Sequence, residues 1–356
     1  MELIRILKLV KPIGLALMIV APAESAAQET SIVRQISNTD VLLQAVSAVD
    51  ASTVWVGGHQ ATVLRTIDGG VHWEVQKVPG PDSLQIRDVH GVSATTAFAL
   101  AAGPGSMSRI FRTDDGGATW TAQFENEDPD AFYDCFDFWD EQTGLVMSDA
   151  VSGDLVIRLT RDGGENWIQI HPDLIPDALD GEGGFAASGT CLVAPENGVA
   201  FIGTGVGAVA RLFRTEDFGN SWSVFDTPIV ARNEASGIAS LIFFDGNSGF
   251  AFGGDIGQPE GFTQNAAATL DGGASWRVLP SPTFPGAIYG AAAAATDGGS
   301  KRVIVVGPGG AAWSLDSGQT WNPLSPENHW AVAMGSPDVA WMVGPGGRIS
   351  AVSWGR

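Results

Sequence analysis

Short runs of alternating apolar and polar residues, broken by Gly, Asn and Asp, recur along the whole chain. Runs of this kind, about 4 to 8 residues long, are typical of half-buried β-strands joined by tight turns. They fall into groups of four, in which the second strand often ends in Gly and a polar turn separates the third strand from the fourth. This grouping predicts an all-β chain built from four-stranded repeats.

The polar turn between the third and fourth strands has a constant sequence, which we call the box. It reads Ser or Thr, any residue, Asp, any residue, Gly, any residue, a polar residue and Trp. The carboxylate can accept hydrogen bonds from the turn's own amides, and the Gly can adopt the positive φ that a tight hairpin needs. The Trp leaves the turn as an apolar anchor. The six boxes have as their aspartates Asp68, Asp115, Asp162, Asp217, Asp271 and Asp316.

The boxes recur about every 50 residues, a period that suits one four-stranded propeller blade. After the sixth box, three apolar runs supply a seventh group without an outer strand. Segment 31–37 (SIVRQIS) precedes the first group and has no place in it. We therefore predict one seven-bladed β-propeller over residues 28–356, closed by pairing this segment with the last blade. Six blades with the final segment as a cap is the alternative.

Residues 1–27 have the features of a secretory signal peptide. A basic start (Arg5, Lys8 and Lys11) precedes the apolar stretch IGLALMIV and the small residues Ser25, Ala26 and Ala27. We expect cleavage near Ala27 and a periplasmic or secreted protein, with an uncleaved N-terminal anchor as the alternative. No later stretch is apolar enough to span a bilayer.

Composition and charge exclude some partners. With 46 Gly, 12 Trp and 17% charged residues, the chain is typical of a turn-rich, well-packed β protein. Its formal net charge is −21, which disfavours binding to nucleic acid or anionic lipid through bulk charge. We expect a monomer without a membrane span once the signal peptide has been removed.

Two cysteines, Cys135 and Cys191, fall in the early strands of neighbouring predicted blades. In an oxidising compartment they could form a disulfide. Two buried, unpaired thiols are the favoured interpretation, and the disulfide is the alternative.

The six boxes resemble the Asp-box, or BNR, repeat of sialidases, sortilin-type receptors and photosystem II stability/assembly factor-like proteins. Over the whole mature chain, the boxes, the Arg-Thr pairs before them and the VGxxG turns are most similar to exported proteins of the assembly factor-like type. The resemblance implies a seven-bladed ring and a binding or assembly role. It brings no catalytic residues, and each box is expected to be a folding device.

Ligands of propellers usually bind where the loops that lead into the innermost strands converge. Small residues are frequent there, notably at 181–191 (GEGGFAASGTC) and 232–240 (RNEASGIAS). They would let a ligand approach closely; equally, crowding around a narrow channel could require them. The predicted ligand-binding residues for an exported protein partner, a small molecule or a glycan are Glu182, Ser188, Arg232, Asn233, Ser236 and Asp255, with Tyr133 and His329 as further contacts.

An enzyme is the alternative hypothesis, as a hydrolase or lyase acting on a glycan or small organic molecule at the same face. Its acid or base would be Glu182 or Asp134, aided by His90 or His329, with Tyr133 as a further candidate. A sialidase is not expected. That chemistry needs an arginine cluster and a Tyr nucleophile, whereas Arg65, Arg112 and Arg214 each precede a box and are interpreted as contacts between blades.

No cofactor and no metal site is predicted. The five histidines show no close ligand spacing, although His59, His90 and His329 could approach one another near the junction of blades seven, one and two. No Gly-x-Ser-x-Gly elbow indicates a catalytic triad. The glycine-rich turns near Gly309 and Gly346 lack the following helix of a phosphate-binding loop.

Overall fold

The computed structural model describes residues 30–262 and 264–355, and these form a ring of seven four-stranded antiparallel sheets. The signal peptide predicted for residues 1–27 lies outside the described residues. In the described ranges, no helix is both long enough and apolar enough to cross a membrane.

The strands follow chain order within each blade. Blade one contains β2 (Leu43–Ala48), β3 (Val54–Gly58), β4 (Thr62–Thr66) and β5 (Glu74–Lys77). Blade two contains β6 (Ile86–Gly91), β7 (Ala97–Ala101), β8 (Arg109–Thr113) and β9 (Thr121–Glu125). Blade three contains β10 (Tyr133–Phe138), β11 (Gly144–Val151), β12 (Asp154–Thr160) and β13 (Ile168–Gln169).

Blade four contains β14 (Leu192–Glu196), β15 (Val199–Gly203), β16 (Arg211–Thr215) and β17 (Ser223–Asp226). Blade five contains β18 (Ser236–Phe243), β19 (Gly249–Asp255), β20 (Ala266–Thr269) and β21 (Arg277–Val278). Blade six contains β22 (Gly290–Ala295), β23 (Lys301–Gly307), β24 (Gly310–Ser314) and β25 (Asn322–Ser325). Short 3₁₀ turns cover Gly105–Met107 and Pro172–Leu174.

Blade seven contains β26 (Ala331–Ser336), β27 (Val339–Gly344) and β28 (Arg348–Trp354), and its outer strand is β1 (Thr30–Gln35). Strand β1 pairs antiparallel with β28 from Thr30 opposite Trp354 to Gln35 opposite Ile349. The predicted closure by the N-terminal segment is therefore confirmed, and the six-bladed alternative is wrong.

The innermost strand of each blade is its first, and it contacts the first strands of neighbouring blades around a central channel. We call the end of the ring where these first strands begin the loop face, and the opposite end, which carries the boxes, the box face. The apolar core lies between successive blades. For example, Trp120 of the second box packs edge to face on Trp55 of blade one, with ring centroids 5.9 Å apart.

All six boxes have the predicted hairpin geometry. In the second box, the Thr113 hydroxyl donates to Asp115 at 2.9 Å, and Asp115 accepts the Thr119 amide at 2.9 Å and the Thr119 hydroxyl at 2.7 Å. Equivalent bonds recur around the other five aspartates, with the side chains of His72 and Asn166 in place of the Thr119 hydroxyl in the first and third boxes. Because the Thr119 side chain and amide stabilise the charged form, the pKa of Asp115 falls to about 2.

Cys135 and Cys191 are joined by a disulfide, so the favoured interpretation of two unpaired thiols is wrong. Cys135 lies in β10, and Cys191 directly precedes β14 in the next blade. Their Cα atoms are 5.9 Å apart, within the range that a disulfide can bridge. The bond links the first strand of blade three to the residue that leads into the first strand of blade four.

Candidate functional site

The connection from blade three to blade four crosses the channel at the loop face. We call residues 183–190 the plug. Gly183 and Gly205 form an antiparallel bridge beside blade four, and the Gln44 amide of blade one donates to the Ala186 carbonyl at 3.2 Å. At the last residue of the plug, the Thr190 hydroxyl is 2.7 Å from the Ser240 hydroxyl of blade five.

The plug also contacts the remaining blades. Ala187 belongs to an apolar cluster with Ala287 and Tyr289, against which Trp330, just before blade seven, packs. A Cβ built on Gly189 would lie 2.2 Å from a carboxylate oxygen of Asp88 in blade two, so only glycine allows this approach. The small residues at 181–191 therefore bring the chain's own backbone into the channel.

Two aspartates of blade three hold the plug from below. Asp149 accepts the Gly184 amide at 2.9 Å. The Asp134 carboxyl group lies near the Ala186 amide and close enough to Asp149 for the two carboxyl groups to interact electrostatically. Burial raises the pKa of Asp134 well above its usual range, Asp149 raises it further, and the charge of Arg87 lowers it. Burial likewise raises the pKa of Asp149.

Glu182, just before the plug, is a buried ion-pair partner. Arg211 bonds both oxygens of its carboxylate, with Nε 2.9 Å from one of them. The Thr204 hydroxyl donates to the Glu182 carboxylate at 2.5 Å, and the Leu179 amide does so at 2.8 Å. These bonds fix the conformation in which the chain enters the plug.

Asn233, Ser236 and Asp255 form a separate group on the loop face. The Ser236 hydroxyl accepts the amides of Arg232 and Asn233 at 2.7 and 3.1 Å, which closes a tight turn. The Asn233 amide group then donates to Asp255 at 3.0 Å. Asp255 also accepts the Gly257 amide at 2.8 Å. The Arg232 side chain is exposed beside this turn.

The remaining candidates lie elsewhere. The Tyr133 hydroxyl is buried and accepts a hydrogen bond from Arg158 at 2.6 Å, and burial raises its pKa. His329 is buried between the Glu327 carbonyl (2.9 Å) and the Ser350 hydroxyl (3.2 Å). Burial, with help from the charge of Arg348, lowers the pKa of His329 to about 4, so the ring is neutral at pH 7.

His90 and Ser188 both line a cavity of about 270 Å³ inside the channel, beneath the plug. His90 lies 3.1 Å from Asp137, and the same cavity is lined by Asp88, whose pKa burial raises well above its usual range. Of the candidate residues, the structure thus brings His90 to Ser188 at one cavity, and Asn233 to Ser236 and Asp255. It does not gather them around one pocket.

Sequence reasoning missed Asp149 and Gln44 as partners of the plug, and Arg211 as the partner of Glu182. Their signal was the placement of polar residues beside apolar runs, as in GLVMSD, which ends in Asp149. Among the described residues there is no group of three His, Cys, Asp or Glu side chains that could hold a metal ion.

A second cavity, of about 200 Å³, lies on the loop face between blades five and six. It is lined by Ile256, Pro259, Glu260, Pro285, Gly286, Ala287, Tyr289, Pro308 and Gly309. Ile256 and Pro259 belong to the insertion 255–262 after β19. Asp255 and Asn233 hold the start of this insertion, and the Gly286 amide donates to the Gly261 carbonyl at 2.8 Å. We call this cavity the loop-face groove.

The closed ring and its box hairpins define a seven-bladed β-propeller, and its similarity is to assembly proteins of the Ycf48 type. The chain is 26% identical over 165 residues to photosystem II assembly protein Ycf48 of Synechococcus sp. (strain JA-2-3B'a(2-13)). This match covers 33% of the chain and half the length of that curated relative. No family model matches the chain.

Solved propellers superpose over nearly the whole chain. Ycf48 bound to a D1 peptide gives a TM-score of 0.59 at 18% identity, covering 92% of this chain and 97% of that one. Ycf48 of Cyanidioschyzon merolae gives 0.61 at 15% identity, covering 90% and 98%. The WD40 repeats of RRP9 give 0.60 at 11% identity, covering 91% and 100%. At such identities the superpositions show the fold alone.

Proposed function

We propose that the protein is a binding or assembly module that holds an extended segment of a partner protein in the loop-face groove. The observation that carries this proposal is the groove's lining of Ile256, Pro259, Tyr289 and Pro308 beside a held insertion. Exposed apolar side chains next to a preformed groove are typical of peptide-binding surfaces. Ile256 is 38% exposed, and Phe262 of the same insertion is 60% exposed.

The similarity to Ycf48 supports a protein partner, because one solved Ycf48 structure contains a D1 peptide. The predicted residues Asn233, Ser236 and Asp255 would then shape the groove by holding its insertion. The enzyme hypothesis has less support. Asp134, a carboxyl group with a raised pKa, lies under the plug, and Glu182 is paired with Arg211.

We further propose that the protein is exported and acts as a monomer. The basic and apolar pattern of residues 1–27 and the Cys135–Cys191 disulfide both favour an oxidising compartment. Because β1 pairs with β28, the blade that closes the ring has four strands like the other six, and β28 does not offer a free edge to a second copy of the chain. N-terminal sequencing of the mature protein should begin near Gln28; retention of Met1 would contradict cleavage.

A photo-crosslinking amino acid at position 256 tests the partner and the groove together. We expect one specific protein adduct in cells, and none when the same amino acid replaces Ile67, an exposed isoleucine on the box face. With the purified partner, Ile256→Asp should weaken binding at least tenfold, and Ile67→Asp should leave it within twofold. An adduct at position 67 alone, or a glycan as the bound species, would overturn the proposal.

A further inference from the structure

The arginines before the boxes of blades one, two and four share one register, each opposite an aromatic residue on the second strand of its blade. In blade one, Arg65 lies between Trp55 on one neighbouring strand and Glu74 on the other. Its guanidinium lies 5.6 Å from the Trp55 ring centre, bonds Glu74 at 2.6 Å and donates to the Ala94 carbonyl of blade two at 2.7 Å. The arginine thus fills the junction with the next blade.

Blades two and four repeat the arginine and its aromatic partner, but their carboxylate comes from the second residue of the box and not from the fourth strand. Arg112 lies over Phe98, is paired with Asp114 and donates to the Gly163 carbonyl of the third box. Arg214 lies over Phe201 and is paired with Glu216. In each of these junctions an aromatic ring, a guanidinium and a carboxylate occur together.

Blade five keeps an aromatic residue at the position of Trp55, but it has a cation where blade one has the carboxylate Glu74. Phe250 lies opposite Ala268, and Ala268 lies opposite Arg277, in the register of Trp55, Arg65 and Glu74. The arginine position therefore holds Ala268, and the position of the carboxylate Glu74 holds a cation. A cavity of about 520 Å³ lies at this junction of blades five and six.

The cavity has apolar walls and two cationic groups. Phe244, Phe250 and Trp276 line it, as do Arg277 and, from blade six, Lys301. The Lys301 ammonium lies 3.3 Å from the Phe244 ring centre. Asp245 interacts electrostatically with Lys301, but Asp245 does not line the cavity. Two cations lining one cavity form a local exception in a chain of net charge −21.

We infer that this cavity is a binding site for a small organic carboxylate with an aromatic body. Its volume lies within the range of small-molecule sites, about 300 to 1,000 Å³. The carboxylate would pair with Arg277 and Lys301, and the ring would pack on Phe250 and Trp276. Inorganic phosphate would leave the apolar walls unfilled. This site is independent of the loop-face groove.

The test uses 2-naphthoate as the probe, with its neutral amide and 2-(aminomethyl)naphthalene for comparison. In ligand-observed NMR titrations of the folded protein, 2-naphthoate should bind with a Kd on the order of 1 mM or tighter. The amide should bind at least fivefold more weakly, and the amine should not compete. The inference would be overturned if the acid and the amide bound equally well. It would also be overturned if 2-naphthoate did not bind at roughly 20 mM, which is 20-fold the expected Kd.

The decisive variant is Ala268→Arg with Arg277→Glu, which rebuilds the Arg65–Glu74 pair of blade one in blade five. Filling the cavity should weaken 2-naphthoate binding at least tenfold while circular dichroism stays unchanged. The matched control is Leu159→Arg with Ile168→Glu, the same register in blade three, which should leave binding within twofold. If the blade-five variant does not fold, Arg277→Gln alone must weaken binding at least threefold. Unchanged binding in the variant that folds refutes the site.

Discussion

Asp134 and Asp149 place two electrostatically interacting carboxyl groups beneath the backbone of the plug. Their surroundings raise both pKa values, so the folded protein binds protons in a pH range where the unfolded chain has released them. The stability that these protons contribute is complete below the unfolded pKa of 3.8 and is lost as pH rises through the folded values. The contribution of this pair to the free energy of unfolding is therefore largest at low pH.

We expect Asp134→Asn to remove part of this pH dependence. One group that holds an extra proton in the folded state changes the free energy of unfolding by up to about −1.4 kcal/mol per pH unit. Urea unfolding between pH 4 and 8 should show a shallower decline in the variant than in the wild type. Asp173→Asn, at an exposed aspartate outside the plug, is the control. A decline unaltered by Asp134→Asn would contradict this account.

The box tryptophans should differ in their contribution to stability according to burial. Trp120 is 8% exposed and packs on Trp55, so Trp120→Ala should cost about 3 to 5 kcal/mol. Trp321 of the sixth box is half-buried, so Trp321→Ala should lower the free energy of unfolding by less. Asp115→Asn should be milder than Trp120→Ala. None of the three should alter partner binding; loss of binding at unchanged stability would make the boxes ligand sites.

Removing the N-terminal strand should open the ring. A chain that begins at Thr39 lacks β1. It therefore lacks Gln35, the last residue of that strand, which bonds Gly69 and Trp73 of the first box at 2.9 and 3.0 Å. Compared with a chain that begins at Gln28, we expect a loss of several kcal/mol in unfolding free energy and association through the exposed edge of β28. Equal melting temperatures and a monomeric truncated chain would be incompatible with closure by β1.

The disulfide should stabilise the ring by about 2 to 4 kcal/mol, since it closes a long loop in the unfolded chain. The sequence separation of Cys135 and Cys191 is 56 residues. Cys135→Ala with Cys191→Ala should lower the urea midpoint, and reduction of the wild type should lower it similarly. Reduction should leave the double variant unchanged. Identical midpoints for oxidised and reduced wild type would exclude a stabilising bond.

The repeated architecture could be predicted because its determinants are local. Each box carries its own hydroxyl, carboxylate, glycine and tryptophan within eight residues. Segment 31–37 was predicted to be the closing strand because it has no place in the first group of four strands. Arg65, Arg112 and Arg214 were interpreted as contacts between blades because they repeat with the boxes, and the structure confirms this for each of them.

The candidate site could not be predicted in the same way because its contacts are long-range. Nothing near Glu182 reveals that Arg211 will neutralise it, and nothing near Gly189 reveals that Asp88 will lie against it. A glycine-rich loop suits approach by a ligand and by the protein's own backbone equally well. The sequence alone therefore left a ligand site and crowding around a narrow channel as alternative interpretations, and the plug itself was not foreseen.

Closure by β1 makes the order of synthesis matter. Thr30 is among the first residues of the described chain to be made and Trp354 among the last, yet they are opposite each other in one sheet. Blades one to six can form successively as their strands emerge, whereas blade seven must wait for a strand made at the beginning. A chain that terminates early, even within its last blade, would leave β1 without its partner. Completion of the ring thus requires that both β1 and β28 have been made.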